Sequence, residues 1–321
     1  MDFKKLVVFL LGILISIASI YLIVKNIDVS SSIKTLNKIP LVVPILLMGI
    51  YLLGFWLRAF RWKLMINHYQ QFSINQLLQA VVVGYAGNNF LPARGGEFLR
   101  MEFFSRTAKI PRTVSLTSVL AEKIFDGLSL LFILIVVVIA FPSSLLEVTW
   151  FKTLFYSANL IFIGVLFGLV LLKLLEQKVM GFISGKLGIW QKLATLIGDI
   201  LHAIDFVKPN LNGLLILLSG VLVWVVEGSM FALGAYFLLP DANPFMVGYL
   251  TLVVVNFGIL IPSSPGYVGV FQGMTILAFS LLQIPEEQAL VHAILIHACQ
   301  FIPITLWGTV IITKKAIKLK F

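Results

Sequence analysis

The chain has 321 residues, of which 60% are hydrophobic and only 12% are charged, and its formal net charge is +10. Water-soluble domains carry about 25% charged residues, so this composition excludes a soluble globular protein and predicts an all-α bundle of membrane helices. The excess of Lys and Arg is typical of loops that stay in the cytoplasm, and no soluble basic module is present that would bind nucleic acid.

Six stretches of the chain are long and apolar enough to be full membrane spans, because about 20 apolar residues cross a core ~30 Å thick. They are Leu6–Val24, Leu41–Leu57, Thr113–Ala140, Leu154–Leu172, Leu211–Leu239 and Glu287–Thr313. No small-residue cleavage site follows the first stretch, so we interpret it as an uncleaved span and not as a signal peptide. The amphipathic segment Lys178–Lys208 predicts a helix that lies on the membrane surface.

Two further apolar regions are interrupted by Pro and Gly. Ile74–Phe104 is broken at Asn88–Gly96, and Phe245–Leu282 is broken at Ile261–Gly269. The arms on either side of each break are short for a straight crossing. We therefore expect two re-entrant hairpins, each of which enters the membrane and returns to the same side. Irregular backbone at this depth requires protein or water to satisfy its polar groups.

Basic residues set the expected orientation. They concentrate in 58–112, in 173–208 and in the C-terminal tail, which all fall on one side if both hairpins return. Basic loops stay inside, so we expect a multi-pass protein of the prokaryotic cytoplasmic membrane with both termini cytoplasmic. The single membrane domain, 1–321, then contains a candidate inverted repeat, with halves 41–140 and 211–313 of opposite topology, as in many transporters.

The centre of the first hairpin is the strongest candidate site, because charge inside a bilayer is costly and usually functional. Two glycines would permit a tight turn, and a helix that starts at Glu97 would aim its N–H groups and positive dipole end into the membrane. With two nearby arginines this arrangement suits a phosphate-like headgroup. The alternative is that Glu97 and Arg100, at i,i+3, simply pair with each other. The candidate substrate-binding residues are Asn88, Asn89, Arg94, Gly95, Gly96, Glu97 and Arg100.

The third span carries a polar stripe at helical spacing. Its members are Ser115, Ser118, Glu122, Asp126 and Ser129, with Lys123 beside them. Two interpretations stay open: the stripe braces the bundle by pairing with Arg94 or Arg100, or it contributes to the substrate site. Glu122, Lys123 and Asp126 are therefore candidate substrate residues. The two acids, together with Glu227 in the fifth span, are candidate proton or cation sites.

Other polar residues receive structural interpretations. Four residues at the end of the second span, Trp56, Arg58, Arg61 and Trp62, are typical of an anchor at the membrane interface. His297 and Gln300 in the last span are expected to pack within the bundle. A single cysteine and the absence of paired ligand spacing predict no disulfide, no metal and no cofactor. No catalytic constellation is present, so an enzyme is not expected.

Three ordered motifs resemble a known family. Asn88–Arg100, then Glu122-Lys123-x-x-Asp126, then Ile261-Pro262-x-x-Pro265-Gly266-x-x-Gly269-x-Phe271-Gln272 resemble the flippase-like membrane proteins, also described as the transmembrane region of lysylphosphatidylglycerol synthase. The resemblance spans nearly the whole chain. It implies a helix bundle with two re-entrant hairpins that moves lipids or lipid-linked headgroups between leaflets, and it adds Ser264, Gly266 and Gln272 to the candidate binding residues.

The chain departs from the family pattern in two places. The usual Glu-Arg pair is Glu122-Lys123 here, and the usual glutamate after the last Gly-x-Phe is Gln272, which removes a charge expected for proton coupling. Only Lys314–Phe321 follow the last span, so the resemblance implies the membrane region without the soluble synthase domain.

The sequence thus predicts a translocase that binds an anionic headgroup in a midplane cavity. Its expected partner is a membrane lipid or a polyprenyl-linked lipid, and a homo-oligomer is left open. The alternative is a non-transporting membrane partner that supports an envelope glycosyltransferase or a lipid-modifying enzyme.

Overall fold

A computed structural model describes residues 29–67, 69–91, 94–141, 144–175, 211–260 and 264–315, with a few isolated positions elsewhere. These residues form α-helices and short 3₁₀ turns, and none of them is in a β-strand. The predicted first span, Leu6–Val24, and the predicted surface helix, Lys178–Lys208, lie outside the described residues apart from such isolated positions. The all-α prediction is confirmed.

The helices follow in chain order. They are α1 (Val29–Leu36), α2 (Val42–Ile66), α3 (Ile74–Phe90), α4 (Gly96–Ala108), α5 (Arg112–Ala140), α6 (Thr149–Leu174), α7 (Leu211–Leu238), α8 (Pro244–Gly258), α9 (Val270–Ser280) and α10 (Glu286–Lys314), with 3₁₀ turns at Ser144–Glu147 and Pro265–Tyr267.

Four of these helices, α2, α5, α7 and α10, are long and apolar enough to cross a bilayer, among the residues that the structure describes. They correspond to the predicted second, third, fifth and sixth spans. The predicted fourth span lies within α6, which has 26 residues. The chain is therefore a multi-pass membrane protein.

Local sequence explains where several helices begin. The first arm of each interrupted region starts at a capping residue: the Ser73 hydroxyl accepts from the Gln76 amide at 3.3 Å, and the Asn243 side chain accepts from the Phe245 amide at 3.0 Å. Such caps satisfy N–H groups that lack a partner within the helix. The long helices α5 and α10 each follow a proline, which is unsuited to a helix interior but suits its start.

The two interrupted regions are pairs of packed helices. The first break separates α3 from α4, and the second separates α8 from α9, with a 3₁₀ turn inside it. Along α3, Gly84 faces Arg100 and Gly87 faces Gly96, so α3 and α4 are antiparallel. Whether each pair enters and leaves a membrane on one side stays a prediction.

The two halves share one order of helix lengths and one pattern of packing. Each half is a long helix, two short helices and a long helix, α2–α5 and α7–α10. The first helices, α2 and α7, pack against each other, α3 packs on α10, and α8 packs on α5. Each half therefore covers its hairpin partly with the last helix of the other half, so the hairpins meet in the middle of the bundle.

One short turn recurs in both halves. Lys109-Ile110-Pro111 precedes α5, and Gln283-Ile284-Pro285 precedes α10. Lys109 and Gln283 both have a left-handed φ of 56°. The next amide donates in each case to the carbonyl five residues earlier, at 3.1 Å. The same local sequence therefore forms the same turn before the last helix of each half.

Candidate functional site

Charged side chains fill the centre of the bundle, and the first group of them is a buried brace. Arg100 on α4 donates to both carboxylate oxygens of Glu122 on α5, at 3.0 and 2.7 Å. Neither side chain is exposed, and the guanidinium lies over the ring of Trp62 at 3.9 Å. A bidentate pair with a stacked guanidinium satisfies both charges inside the protein. Of the two interpretations of the polar stripe, bracing describes Glu122.

Asp126 lies one turn further along α5 and is shared by several partners. Arg61 donates to its Oδ1 at 2.7 Å, and the indole N–H of Trp224 donates to the same oxygen at 3.2 Å. Lys123 approaches Oδ2 at 3.7 Å. All five members of the predicted stripe are buried, as the spacing indicated.

A third group joins the two halves. Arg58 on α2 donates to Glu227 on α7 at 2.6 Å and, through Nε, to the hydroxyl of Tyr85 at 2.9 Å. Gln300 on α10 donates to the other oxygen of Glu227 at 3.2 Å. Glu227, a candidate proton or cation site, is thus already bonded to a permanent cation.

The interpretation of the second span's end as an interface anchor is wrong. Arg58, Arg61 and Trp62 are at most 1% exposed, and only Trp56, at 47%, faces outward. The cause is the length of α2, which continues to Ile66 and carries these side chains into the bundle. The signal was available, because Arg58 and Arg61 are three residues apart on one helical face.

The alternative interpretation of the first hairpin, a pair between Glu97 and Arg100, is absent from the ion pairs of the described residues. Arg100 is turned towards Glu122, while Glu97 pairs with Lys123 at 3.0 Å. Tertiary partners on α5 therefore replace the local i,i+3 contact.

The turn of the first hairpin needs its glycines for space. Gly95 has an ordinary helical φ of −57°. A Cβ at Gly96 would lie 2.0 Å from the Gly84 carbonyl oxygen, so only glycine permits this approach. The Gly96 amide donates to the Asn88 side chain at 2.9 Å, which occupies one N–H that the sequence had suggested for a ligand. Among the described residues of this break, Arg94 has a left-handed φ of 55°.

The two breaks converge. Arg94 donates to the carbonyl of Ile259 at 3.5 Å, at the end of α8. Asn89 donates to the hydroxyl of Thr305 on α10 at 2.7 Å. In the second break, Gly266 and Tyr267 have left-handed φ values of 70° and 59°. Strained backbone of this kind persists where surrounding structure holds it, and it concentrates at functional sites.

A cavity of about 230 Å³ lies where the breaks meet. The predicted site residues that line it are Asn88, Asn89, Arg94, Glu97, Lys123, Asp126 and Glu227. Those that lie outside its wall are Gly95, Gly96, Arg100, Glu122, Ser264, Gly266 and Gln272. Pockets for drug-sized ligands have about 300–1,000 Å³, so this space suits a small headgroup and not an entire lipid.

Much of the remaining wall is aromatic, and the candidate binding residues predicted from the sequence did not include these side chains. The aromatic residues are Tyr51, Tyr85, Phe162, Trp224, Phe231, Phe257, Tyr267, Phe271 and Phe301. Arg58, His297 and Gln300 also line the cavity. Within the described ranges, no three His, Cys, Asp or Glu side chains converge as metal ligands.

The charges at the site do not balance. Its cations are Arg58, Arg61, Arg94, Arg100 and Lys123, and its carboxylates are Glu97, Glu122, Asp126 and Glu227. Among the residues that the structure describes, four of these cations have a carboxylate partner and Arg94 has none. The Nε atom of Arg94 is buried without a hydrogen-bond partner. The site therefore holds one excess positive charge, and it lies on the cavity wall.

Comparison with known proteins identifies the family. No curated protein and no solved structure matches the chain. The family model described as lysylphosphatidylglycerol synthase TM region matches residues 9–308. The match covers the described helices and both interrupted regions almost completely, so the chain belongs to the lysylphosphatidylglycerol synthase transmembrane-region family.

Proposed function

We propose that the protein moves a lipid, or a lipid-linked headgroup, between the two leaflets of the membrane, and that an anionic headgroup enters the cavity between the two breaks. The observation that carries this proposal is Arg94, whose charge faces the cavity without an ion-pair partner among the described residues. A charge without an ion-pair partner is costly in the interior of a membrane protein, and Arg94 is half-buried there. A phosphate removes that cost, because a guanidinium binds its oxygens in a bidentate manner.

Glu97 gives the headgroup an expected orientation. Its Oε1 atom pairs with Lys123 at 3.0 Å, and its Oε2 atom is buried without a partner. A free carboxylate oxygen accepts a hydrogen bond and repels a second anion. The anionic part of a ligand would therefore bind Arg94, while a hydroxyl or amino group of the same ligand would point towards Glu97.

The membrane arrangement is part of the proposal. The two helix pairs act as re-entrant hairpins from opposite sides, both termini are cytoplasmic, and the protein resides in the cytoplasmic membrane of a prokaryote. The reciprocal packing of α3 on α10 and α8 on α5 supports the meeting of the two helix pairs, because it brings the two breaks to one place. The choice of the cytoplasmic side rests on the distribution of basic residues.

Lipid movement by the purified protein tests the proposal. Vesicles containing the protein and a trace of fluorescent anionic phospholipid are treated with an impermeant quencher, and the fraction of protected lipid is followed over time. Loss of protection faster than in protein-free vesicles is the expected result. Equal rates for both kinds of vesicle would reject a translocase.

A second candidate, a non-transporting partner of an envelope glycosyltransferase or lipid-modifying enzyme, is favoured by the brace between Arg100 and Glu122, which does not line the cavity. Such a protein would need these charges only for its own fold. The vesicle assay separates the two candidates, because a partner protein moves no lipid when alone.

A further inference from the structure

The turn of the second hairpin is held by one histidine on α10. The Nε2 atom of His297 lies 2.8 Å from the carbonyl oxygen of Gly266, and its Nδ1 atom lies 3.0 Å from the amide nitrogen of the Gln272 side chain. The oxygen of that side chain accepts from the backbone amide of Gly269 at 2.8 Å, just before α9 begins. One imidazole ring therefore connects both ends of the turn.

These contacts permit a single arrangement of protons. The backbone amide of Gly269 can only donate, so the Gln272 oxygen must face it and the Gln272 NH₂ group must face His297. Because the NH₂ group also donates, Nδ1 of the imidazole must be unprotonated. Nε2 then carries the proton and donates to Gly266. The ring is neutral, in one defined tautomer.

A second proton on the ring would disrupt this chain of bonds. If Nδ1 takes a proton from water in the cavity, whose wall includes His297, two donors face each other across 3.0 Å. The Gln272 side chain must then rotate and turn its oxygen towards the imidazolium. That rotation removes the acceptor from Gly269, and the first turn of α9 loses its cap.

The backbone of the turn has an uncommon conformation that is strained at its non-glycine member, Tyr267. Gly266, Tyr267 and Gly269 have φ values of 70°, 59° and 86°, all in the left-handed region. The His297 ring also stacks on Phe271 of α9, with ring centres 4.5 Å apart. A change at the ring is therefore transmitted directly to both the turn and the helix that follows it.

The first half has a comparable contact at the same position. Lys123 and His297 are each the twelfth residue of their helices, α5 and α10. Lys123 holds the first hairpin through Glu97 at 3.0 Å, as His297 holds the second through Gly266 and Gln272. The two halves thus hold their hairpins from corresponding positions, but only the second half uses an imidazole, whose Nδ1 atom can either accept a hydrogen bond or carry a proton.

We propose that His297 is a protonation-sensitive latch, which keeps the second hairpin closed while neutral and releases its turn when it gains a second proton. The other titratable groups around the cavity are Tyr51 and Arg58 on α2, Tyr85 on α3, Arg94 and Glu97 at the first hairpin, Lys123 and Asp126 on α5, Glu227 on α7 and Tyr267 in the turn itself. On α9 there is no charged side chain, and Tyr249 of α8 is bonded to the carbonyl of Val225.

An anion bound at Arg94 would favour the imidazolium, so headgroup binding and release of the hairpin would be coupled.

Accessibility of the turn tests the latch without any assay of transport. Val268 lies in the turn and is 41% exposed. In a protein with Cys299→Ala, Val268→Cys is labelled with a maleimide from about pH 8 to about pH 3.5, a range that extends well below the ionisation of a free histidine. Rates are divided by those of Tyr69→Cys, an exposed loop position, so that the pH dependence of the thiol cancels. The expected result is a several-fold rise at low pH.

Two variants show whether the pH dependence of labelling comes from His297. His297→Gln can donate to Gly266 and accept from Gln272 but cannot gain a proton, so its labelling should not depend on pH. His292→Gln is the matched control, because His292 is buried on the same helix, contacts the carbonyl oxygen of Phe231 and does not itself line the cavity. This variant should behave as the parent. A parent without pH dependence, or a full response in His297→Gln, would overturn the latch.

The consequence for transport rests on the proposed function. In vesicles of the same protein, lipid movement should depend on pH in the parent and not in His297→Gln. If the parent moves no lipid while labelling of the turn follows pH, the proposed function fails and the latch stands. If lipid moves but neither movement nor labelling responds to pH, the latch fails and the proposed function stands.

Discussion

At the residue scale, sequence could identify the carriers of charge on α5 but not all of their partners. Glu122 and Asp126 are evident from helical spacing within an apolar stretch. Their arginine partners come from α2 and α4, and pairing between helices depends on a packing that no local pattern encodes. Arg61 was misplaced because the second span was expected to end at Leu57. The aromatic wall of the cavity was missed for the same reason, since aromatic residues in apolar helices carry no distinguishing pattern.

The buried brace yields a prediction about stability. Arg100→Gln leaves Glu122 without its bidentate partner, and neither side chain is exposed. Removing one member of a buried ion pair destabilises a protein by about 3–5 kcal/mol, because the other charge stays buried. Unfolding in detergent, followed by tryptophan fluorescence during heating, should show a large loss.

Arg112→Gln is the matched control for this change. Arg112 also pairs with a glutamate, Glu102, at 2.6 Å, but its side chain is 64% exposed. Exposed ion pairs contribute little to stability, so unfolding should hardly change. Equal effects of the two substitutions would show that the Arg100 brace is no more important than a surface contact.

At the element scale, the breaks were predictable because Pro and Gly cluster within the apolar runs at Asn88–Gly96 and at Ile261–Gly269. The structural reason for the glycines could not be predicted from the sequence. Gly96 is required by the approach of the Gly84 carbonyl, whereas the left-handed backbone belongs to Arg94. The clearest feature shared by the two halves, the turn x-Ile-Pro before α5 and before α10, is too short to stand out in a sequence. It becomes evident only when both turns are seen to have the same φ and the same hydrogen bond.

The paired turns yield a second prediction. Lys109 and Gln283 adopt a left-handed φ of 56°, which costs residues with a Cβ about 1–2 kcal/mol. Glycine has no Cβ and adopts this φ without that cost. Lys109→Gly and Gln283→Gly are therefore each expected to raise the free energy of unfolding by about 0.5–1 kcal/mol. The same unfolding assay measures both.

Glycine inside a regular helix provides the contrast. Ser157 is exposed in the interior of α6, and Ser157→Gly should destabilise the protein by about 0.5 kcal/mol. Destabilisation by glycine at both turns as well would contradict the proposed relief of strain at these positions.

At the scale of the whole molecule, composition alone indicated a membrane bundle, and four long apolar helices among the described residues agree with it. The orientation of the halves rests on the distribution of basic residues and on the return of each hairpin to its own side. Neither follows from helix packing, because packing is the same whichever face is cytoplasmic. The inverted orientation is therefore a separate prediction.

Labelling from outside intact cells tests the orientation. In a protein with Cys299→Ala, cysteines replace Gln70 and Ala108, at the ends of the first hairpin, and Ala242 and Pro285, at the ends of the second. An impermeant maleimide should label only the second pair, because the first pair faces the basic cytoplasmic side. Members of one pair that label from different sides would show that the hairpin crosses the membrane, which would contradict the inverted repeat.

The proposed function depends most on Arg94, whose unpaired charge is expected to bind an anionic headgroup as the headgroup passes through the cavity. Its most direct test is the rate of anionic lipid movement in vesicles for Arg94→Gln, compared with Arg106→Gln at the exposed end of α4. Losing a charge-assisted contact with the headgroup should lower the rate about ten- to hundredfold. Arg94→Gln should remain folded, because Arg94 has no ion-pair partner among the described residues to leave unsatisfied, and Arg106→Gln should move lipid at the parent's rate. Folded Arg94→Gln that moves anionic lipid as fast as the parent would contradict the account.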